Sequence, residues 1–170
     1  AMSNKTKYIV TMLTAISLGG VAYTQSKEGT VLTPYKDSGG VITIGTGTTV
    51  YPNGQKVKIT DPKITHKQAT EYLKIHMAKD AKTFNKSLAG IALSQDEYDL
   101  YMDFTYQFGT GAWSGSSMLR NLKQSKYKAA CDSLLKWKYV AKRDCSIRSN
   151  NCYGVWVRQV ERHSKCIGAN

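Results

Sequence analysis

The sequence predicts an α+β protein that is mainly helical, with a small β-hairpin lobe and a larger helical lobe. A short β-branched run between glycines, residues 39–47, indicates a strand with tight turns, and a turn at 51–54 leads to a second expected strand over 55–60. From residue 65 onward, the apolar residues have the spacing of helices. At 170 residues the chain is long enough to bury a core of its own.

The first helix is expected within residues 1–27. Residues 8–26 carry no charge, and four apolar residues lie at helical spacing: Ile9, Met12, Leu13 and Ile16. Two interpretations stay open. The segment is an amphipathic core helix, or it is a weakly hydrophobic secretion signal or membrane anchor.

The β lobe is assigned to residues 28–64 and the helical lobe to residues 65–170. Two capping boxes predict helix starts in the helical lobe, because a Ser or Thr is followed three residues later by Gln or Glu. These pairs are Thr65 with Gln68 and Ser94 with Glu97. Further helices are expected from about residues 116 and 127 and over 155–166.

Positive charge is concentrated in the last third of the chain. The 24 Lys and Arg residues outnumber 12 Asp and Glu, which gives a net charge of +12. Residues 111–170 hold twelve basic residues against three acidic ones, a net of +9. This excess favours a polyanionic partner, and the candidates are nucleic acid, an anionic membrane and an acidic cell-wall polymer. The alternative is that the charges only form the solvated surface of helices.

All four cysteines lie in the same third: Cys131, Cys145, Cys152 and Cys166. An even set without Cys-x-x-Cys spacing favours two disulfides over a zinc site. Of the three possible pairings the nested one is favoured, because Cys145 and Cys152 bracket a short turn-like stretch inside a Cys131–Cys166 bridge. Disulfides require an oxidising compartment, whereas four buried free thiols are the alternative.

Two carboxylates stand nine residues apart at the start of the β lobe. Glu28 follows a long apolar segment and is expected against low-dielectric surroundings, whereas Asp37 lies in a glycine-rich, solvated turn. Two carboxylates in different environments suit glycosidic cleavage, because one can protonate the leaving oxygen while the other stabilises positive charge or steers water. Most such pairs are surface charges, so the pair alone does not establish a site.

The spacing Glu28-x8-Asp37-x5-Thr43, followed by Ile-Gly-Thr-Gly, resembles the catalytic signature of phage-type lysozymes and endolysins, a glycoside hydrolase family. Three later segments are similar to family segments in the same order: 106–120, 130–137 and 154–158. The resemblance covers about residues 8–167. It implies a lysozyme-like two-lobed fold and hydrolysis of the β-1,4 bond between N-acetylmuramic acid and N-acetylglucosamine in peptidoglycan, which lyses the bacterium.

The resemblance also implies roles for single residues. Glu28 matches the general acid, and Asp37 matches the carboxylate that stabilises the oxocarbenium-like transition state or helps to activate water. Thr43 matches the hydroxyl that positions the nucleophilic water. No metal or other cofactor is expected.

Three positions in the helical lobe match substrate-binding positions of the family. Tyr106 and Gln107 match residues that line the sugar-binding cleft, although Tyr106 is equally well explained as a core aromatic residue. Arg158 matches a basic position that approaches the catalytic Glu in relatives.

Partners and location follow from the same resemblance. Peptidoglycan strands are the expected substrate, anionic cell-envelope polymers are expected on the basic C-terminal third, and nucleic acid becomes the least favoured partner. The chain is expected to act as a monomer in the host periplasm or cell wall. Because residues 8–26 resemble the signal-arrest-release helix of some relatives, a transient inner-membrane tether before release is expected if they are not simply a core helix.

Two other functions stay open at this point. A lytic transglycosylase would need only one catalytic carboxylate, so the presence of Asp37 and Thr43 beside Glu28 disfavours it. A non-catalytic basic protein that binds a cell-wall polymer or another polyanion on a lysozyme scaffold is the alternative from a different class.

Overall fold

The computed structural model describes residues 5–170. Its α-helices are α1 Leu18–Glu28, α2 His66–Ser87, α3 Gln95–Phe108, α4 Thr110–Ser114, α5 Ser117–Lys123, α6 Tyr127–Ser133 and α7 Tyr153–Gly168. Its strands are β1 Tyr8–Ile9, β2 Val31–Lys36, β3 Ile42–Gly45, β4 Ala92–Leu93, β5 Tyr139–Val140 and β6 Arg143–Asp144. Short 3-10 helices cover Leu134–Lys136 and Arg148–Asn150. The protein is therefore mainly helical with small sheets, as the sequence predicts.

The chain divides into two compact units, which we call the small unit, Ala15–Lys82, and the large unit, residues up to Thr14 together with Thr83–Asn170. The boundary lies within α2, whereas the sequence places it between residues 64 and 65. The N-terminal residues up to Thr14 also join the large unit, so they do not form one element with α1.

The small unit is built on α1, the β2–β3 hairpin and most of α2. Strands β2 and β3 are antiparallel, with Tyr35 opposite Thr43 and a bulge between Val31 and Tyr35. One buried apolar cluster, which we call the small-unit core, includes Ile44, Val57, Ile64 and Ala69. Helix α2 begins with the predicted capping box, in which the Gln68 N–H donates to Thr65 Oγ1 at 3.1 Å and the Thr65 N–H donates to Gln68 Oε1 at 2.8 Å.

The large unit is held by an aromatic core and two disulfides. The buried Trp113 ring packs against Phe84 and Tyr101, with ring centroids 5.0 and 5.2 Å apart. The predicted Ser94–Glu97 capping box starts α3. The nested disulfide pairing is confirmed, with Cα atoms 5.5 Å apart for Cys131–Cys166 and 4.9 Å apart for Cys145–Cys152.

The helix predicted within residues 1–27 is wrong for residues 5–17 of the described chain, because α1 begins only at Leu18. Residues 8–9 form β1, which pairs with β4, and the exposed Met12 and Leu13 do not reach a core. The Thr14 hydroxyl accepts the Thr11 N–H at 2.9 Å, and side-chain bonds of this kind compete with helical ones. No helix described over residues 5–170 is long and apolar enough to cross a membrane.

The predicted partner of the β3 strand is also wrong. Strand β3 pairs with β2, which precedes it, while residues 55–60 contribute only an isolated bridge between Lys56 and Val50. The sequence did not predict β2 because this segment contains Pro34. Proline has no N–H to donate in a sheet, so it argues against the interior of a strand. The structure accommodates it at the β2 bulge, where the regular ladder is interrupted.

Candidate active site

Glu28 is the last residue of α1. Ser17 caps the start of this helix by accepting the Gly20 N–H, and Gly29 ends it with φ 75°, a conformation that favours glycine. The buried face of α1 includes Gly20 and Thr24, and Glu28 continues that face by one turn. The expectation of low-dielectric surroundings is nevertheless wrong, because the helix ends at Glu28 and this residue is exposed.

Asp37 lies in the turn between β2 and β3. Its Oδ1 atom accepts the N–H groups of Gly39 at 2.9 Å and Val41 at 2.8 Å. The Gly40 N–H closes the turn onto the Asp37 carbonyl at 3.0 Å, and Gly40 has φ 80°. The turn therefore orients the carboxylate through Oδ1, and the exposed side chain can present Oδ2 to a ligand.

Thr43 lies on β3, two residues after the Asp37 turn closes. Its side chain is buried, and its hydroxyl donates to the Val41 carbonyl at 3.1 Å. Because the Val41 N–H also donates to Asp37 Oδ1, the backbone of this one residue orients the side chains of both Asp37 and Thr43. Thr43 Oγ1 keeps its acceptor lone pairs, because the bond to Val41 uses only its proton.

A polar network that the sequence did not reveal ties α1 to the rest of the small unit. The Gln25 side chain, one turn before Glu28, donates to Thr70 Oγ1 of α2 at 2.9 Å and lies 3.4 Å from Thr46 Oγ1. Thr30 and Thr46 hydroxyls are 3.1 Å apart. These bonds hold the end of α1 against α2 and the segment after β3. The sequence feature that could have indicated a role for Gln25 is its three-residue spacing from Glu28, which places both residues on one helix face.

The three predicted substrate-binding residues all belong to the large unit. Tyr106 and Gln107 lie near the end of α3, and Arg158 lies on α7. Gln107 Oε1 accepts a hydrogen bond from Arg162 at 2.7 Å, and Arg158 lies 3.6 Å from Asp103. Tyr106 is half-buried.

An ion pair between Asp103 and Arg162 organises this second group. Both side chains are buried and 2.8 Å apart, and Asp103 also faces Arg158. Buried charges persist when they are paired and hydrogen-bonded, and Arg162 meets both conditions. The signal that could have revealed the group is four-residue spacing on two helices, Asp103 with Gln107 and Arg158 with Arg162. The predicted residues thus lie in both units, with Glu28, Asp37 and Thr43 in the small unit and the three predicted substrate-binding residues in the large unit.

A scan against family models matches residues 25–159 to the phage lysozyme family. The matched range includes Glu28, Asp37 and Thr43 and the three predicted substrate-binding residues of the large unit. The chain belongs to the phage lysozyme family. It is similar to an endolysin of Salmonella phage P22, with 35% identity over 129 residues that cover 75% of this chain and 86% of that protein. It is also similar to a SAR-endolysin of Escherichia phage 933W, with 29% identity over 98% of both chains.

Solved phage lysozyme structures match the fold. A crystal structure of a P22 lysozyme mutant superposes with a TM-score of 0.77 and 30% identity, over 91% of this chain and 99% of that one. An endolysin from Escherichia coli O157:H7 phage FAHEc1 gives a TM-score of 0.78 and 26% identity, over 91% and 94%. This phage lysozyme is therefore a glycoside hydrolase, a muramidase that degrades peptidoglycan, and neither alternative function is favoured.

Proposed function

We propose that Glu28, Asp37 and Thr43 are the catalytic residues with which this muramidase hydrolyses the β-1,4 bond after N-acetylmuramic acid. Glu28 donates its carboxyl proton to the leaving oxygen as the bond from the anomeric carbon to that oxygen breaks. Asp37 stabilises the positive charge that develops on the sugar or takes a proton from the attacking water. The water oxygen then forms the new bond to the anomeric carbon, and the proton that the water releases passes to Asp37 or to the carboxylate left on Glu28.

The observation that carries this proposal is the shared use of Val41. Thr43 Oγ1 donates to Val41, so it can only accept from a water molecule, which leaves an oxygen lone pair of that water available for attack. The Val41 N–H holds Asp37 in the same turn. A hydroxyl and a carboxylate oriented by one residue suit a role in directing water.

A threonine series tests this role. Thr43→Ser keeps the hydroxyl and should retain most activity, whereas Thr43→Ala should lower kcat on peptidoglycan at least about tenfold. Thr33→Ala, on the exposed part of the same hairpin, is the matched control and should leave kcat unchanged. Equal rates for Thr43→Ala and Thr33→Ala would remove Thr43 from the mechanism. Product analysis should show free reducing ends, and 1,6-anhydro ends would overturn hydrolysis.

We further propose that the sugar chain is contacted by Tyr106, Gln107 and Arg158. The support is their family match together with the buried Asp103–Arg162 pair that holds Gln107 and faces Arg158. Gln107→Ala should raise KM for peptidoglycan more than it lowers kcat. An unchanged KM would remove Gln107 from the binding site.

Anionic cell-envelope polymers are the proposed partner of the basic C-terminal third. Its cations on and around α5 and α6 are exposed, and include Arg120, Lys123, Lys126 and Lys128. Because salt screens exposed charges, activity on whole cells should fall with salt much faster than activity on a short soluble oligosaccharide. Replacing Lys123, Lys126 and Lys128 by Ala should weaken this salt effect. Matched replacement of the exposed Lys67, Lys79 and Lys82 of α2 should not.

We also propose that the protein is exported to the host periplasm or cell wall and acts there as a monomer. Two disulfides and the similarity to SAR-endolysins support export to an oxidising compartment. A transient membrane tether by residues 8–26 is supported by their lack of charge. Tethering would break the β1–β4 pairing and the hydrogen bonds that Asn85 and Tyr98 donate to the Thr14 carbonyl. The tethered form should therefore be inactive. Membrane fractionation with an activity assay tests this, and full activity in the membrane fraction would contradict it.

A further inference from the structure

A cavity of about 490 Å³ lies in the small unit, between the 51–55 turn, residues 61–64 and the start of α2. Its volume is within the range of about 300–1,000 Å³ that is usual for small-molecule sites. None of Glu28, Asp37 and Thr43 lines it. The proposed catalytic chemistry therefore leaves this cavity unexplained.

Two tyrosines contribute to the apolar part of the cavity, together with Pro52, Pro62 and Ile64. The rings of Tyr51 and Tyr72 meet edge to face, with centroids 5.8 Å apart and an interplanar angle of 70°. Both pack against the small-unit core, yet both are only partly buried and line the cavity. Partly exposed aromatic rings offer a flat apolar surface with a polar edge, which suits the C–H face of a sugar ring.

The polar part of the cavity consists mostly of side-chain amides. Asn53, Gln55 and Gln68 line it, together with the charged side chains of Asp61 and Lys63. The amide oxygens of Gln68 and Asn53 each already accept one backbone N–H, at 2.8 and 3.0 Å, and each keeps a second lone pair. The three amides therefore still offer donors and acceptors to the hydroxyl and N-acetyl groups of an amino sugar. A single carboxylate accepts from sugar hydroxyls.

Hydrogen bonds fix the cavity wall before any ligand arrives. The Tyr51 N–H donates to the Gln55 carbonyl at 2.8 Å, and the Tyr51 hydroxyl donates to Asp61 Oδ2 at 2.8 Å. Burial, followed by the bond to Asp61, raises the pKa of Tyr51 to about 12, so the hydroxyl stays a donor. The Lys58 N–H, followed by the Tyr51 bond, lowers the pKa of Asp61, which therefore stays an acceptor. A preformed wall reduces the ordering cost of binding.

From this geometry we infer that the cavity is a second glycan-binding site, separate from the catalytic residues, that takes N-acetylated amino sugars of the peptidoglycan strand. The identity of the polymer rests on the proposed function. The site retains the enzyme on an insoluble strand between cleavages. It therefore affects KM on intact peptidoglycan and leaves kcat on short soluble oligosaccharides unchanged.

NMR titration of the full chain carrying Glu28→Gln with triacetylchitotriose, a soluble N-acetylglucosamine trimer, tests the binding directly. Amide signals of residues 53–55, 61, 63 and 64 should shift saturably. Tyr72→Leu removes the ring but keeps apolar volume against the core, and it should weaken these shifts about fivefold or more, the loss expected for one stacking contact. Gln55→Ala, an exposed site whose backbone bonds remain, should also weaken them.

Kinetics with matched variants provide the second measurement. Gln55→Ala should raise KM on intact peptidoglycan about threefold or more, which corresponds to one lost hydrogen bond, with kcat on a soluble oligosaccharide unchanged. Gln124→Ala, an exposed glutamine in the large unit, should change neither quantity.

Three outcomes would overturn the inference: no cavity shifts at millimolar trimer, shifts only with a sugar-free stem peptide, or equal KM values for Gln55→Ala and Gln124→Ala. Failure of the catalytic proposal would be visible separately. Trimer or peptidoglycan would then be cleaved by the Glu28→Gln chain, while the cavity shifts would be unaffected.

Discussion

Asp37 and Val41 exchange two hydrogen bonds across the β2–β3 turn. The Asp37 N–H donates to the Val41 carbonyl at 2.9 Å, and the Val41 N–H donates to Asp37 Oδ1 at 2.8 Å. The same carboxylate therefore closes a turn and faces the solvent at the proposed site. Its structural role and its catalytic role can be separated, because they need different properties of one side chain.

Asp37→Asn should keep the turn, since the amide oxygen can still accept the Val41 N–H, but it should lower kcat at least about 100-fold because the negative charge is lost. Asp37→Ala should lose the turn bonds as well. Removing the side-chain acceptor of two backbone N–H groups costs about 1–2 kcal/mol, which lowers Tm by several degrees for a domain of this size. Thermal unfolding with parallel kinetics checks both, and equal Tm values for the two variants would contradict the turn role.

Gln25→Leu should lower kcat without a large change in KM. The network from Gln25 to Thr46 and Thr70 holds the last turn of α1, and a displacement of about 1 Å at a catalytic group costs up to about 100-fold in rate. The matched control is Ser26→Ala, because the Ser26 hydroxyl donates to the Tyr23 carbonyl within the same helix. If both variants keep the wild-type kcat, the network does not position Glu28.

The two disulfides should stabilise the fold unequally. Loop-closure entropy predicts about 4 kcal/mol for the 35-residue separation of Cys131–Cys166 and about 2 kcal/mol for the 7-residue separation of Cys145–Cys152. Replacing each pair by Ala should lower the free energy of unfolding in that order, measured by denaturant titration. A larger loss for the Cys145–Cys152 pair would show that loop entropy does not dominate here.

Alkaline pH should destabilise the fold through buried tyrosines. Burial raises the pKa of Tyr98 to about 12, and burial also raises the pKa of Tyr101. The folded phenols stay neutral while the unfolded ones ionise near pH 10, so the stabilisation is complete below pH 10 and is lost as pH rises towards 12.

The free energy of unfolding should therefore fall by up to about 1.4 kcal/mol per pH unit for each such group. Tyr98→Phe should reduce this slope, measured by denaturant titration at several alkaline pH values. The exposed Tyr139→Phe should leave the slope unchanged. Equal slopes in the two variants would contradict the assignment to Tyr98.

Local features of this fold were predictable from the sequence, and features that depend on distant residues were not. The Thr65–Gln68 and Ser94–Glu97 capping boxes involve residues three apart, so the sequence alone predicts them. The pairing of β3 with β2 was not predicted, because Pro34 argues against a strand at this position. The structure accommodates Pro34 at the bulge in β2.

The same division applies to the candidate site. Glu28, Asp37 and Thr43 lie within one short segment, so their spacing can be recognised without a structure. The Gln25–Thr70 and Asp103–Arg162 contacts join residues 45 and 59 positions apart. Their partners become visible only when helices pack, because the sequence gives the spacing on each helix but not which helices meet.

The most direct test of the account is peptidoglycan clearance by Glu28→Gln, compared with Glu71→Gln on α2. Both changes replace one exposed carboxyl group by an amide, and Glu71 lies 3.6 Å from the side chain of Lys74 on the same helix. The turbidity of a peptidoglycan suspension should fall at least about 100-fold more slowly with Glu28→Gln, because the proton donor is lost, and at the wild-type rate with Glu71→Gln. Clearance at the wild-type rate by Glu28→Gln would contradict the central claim.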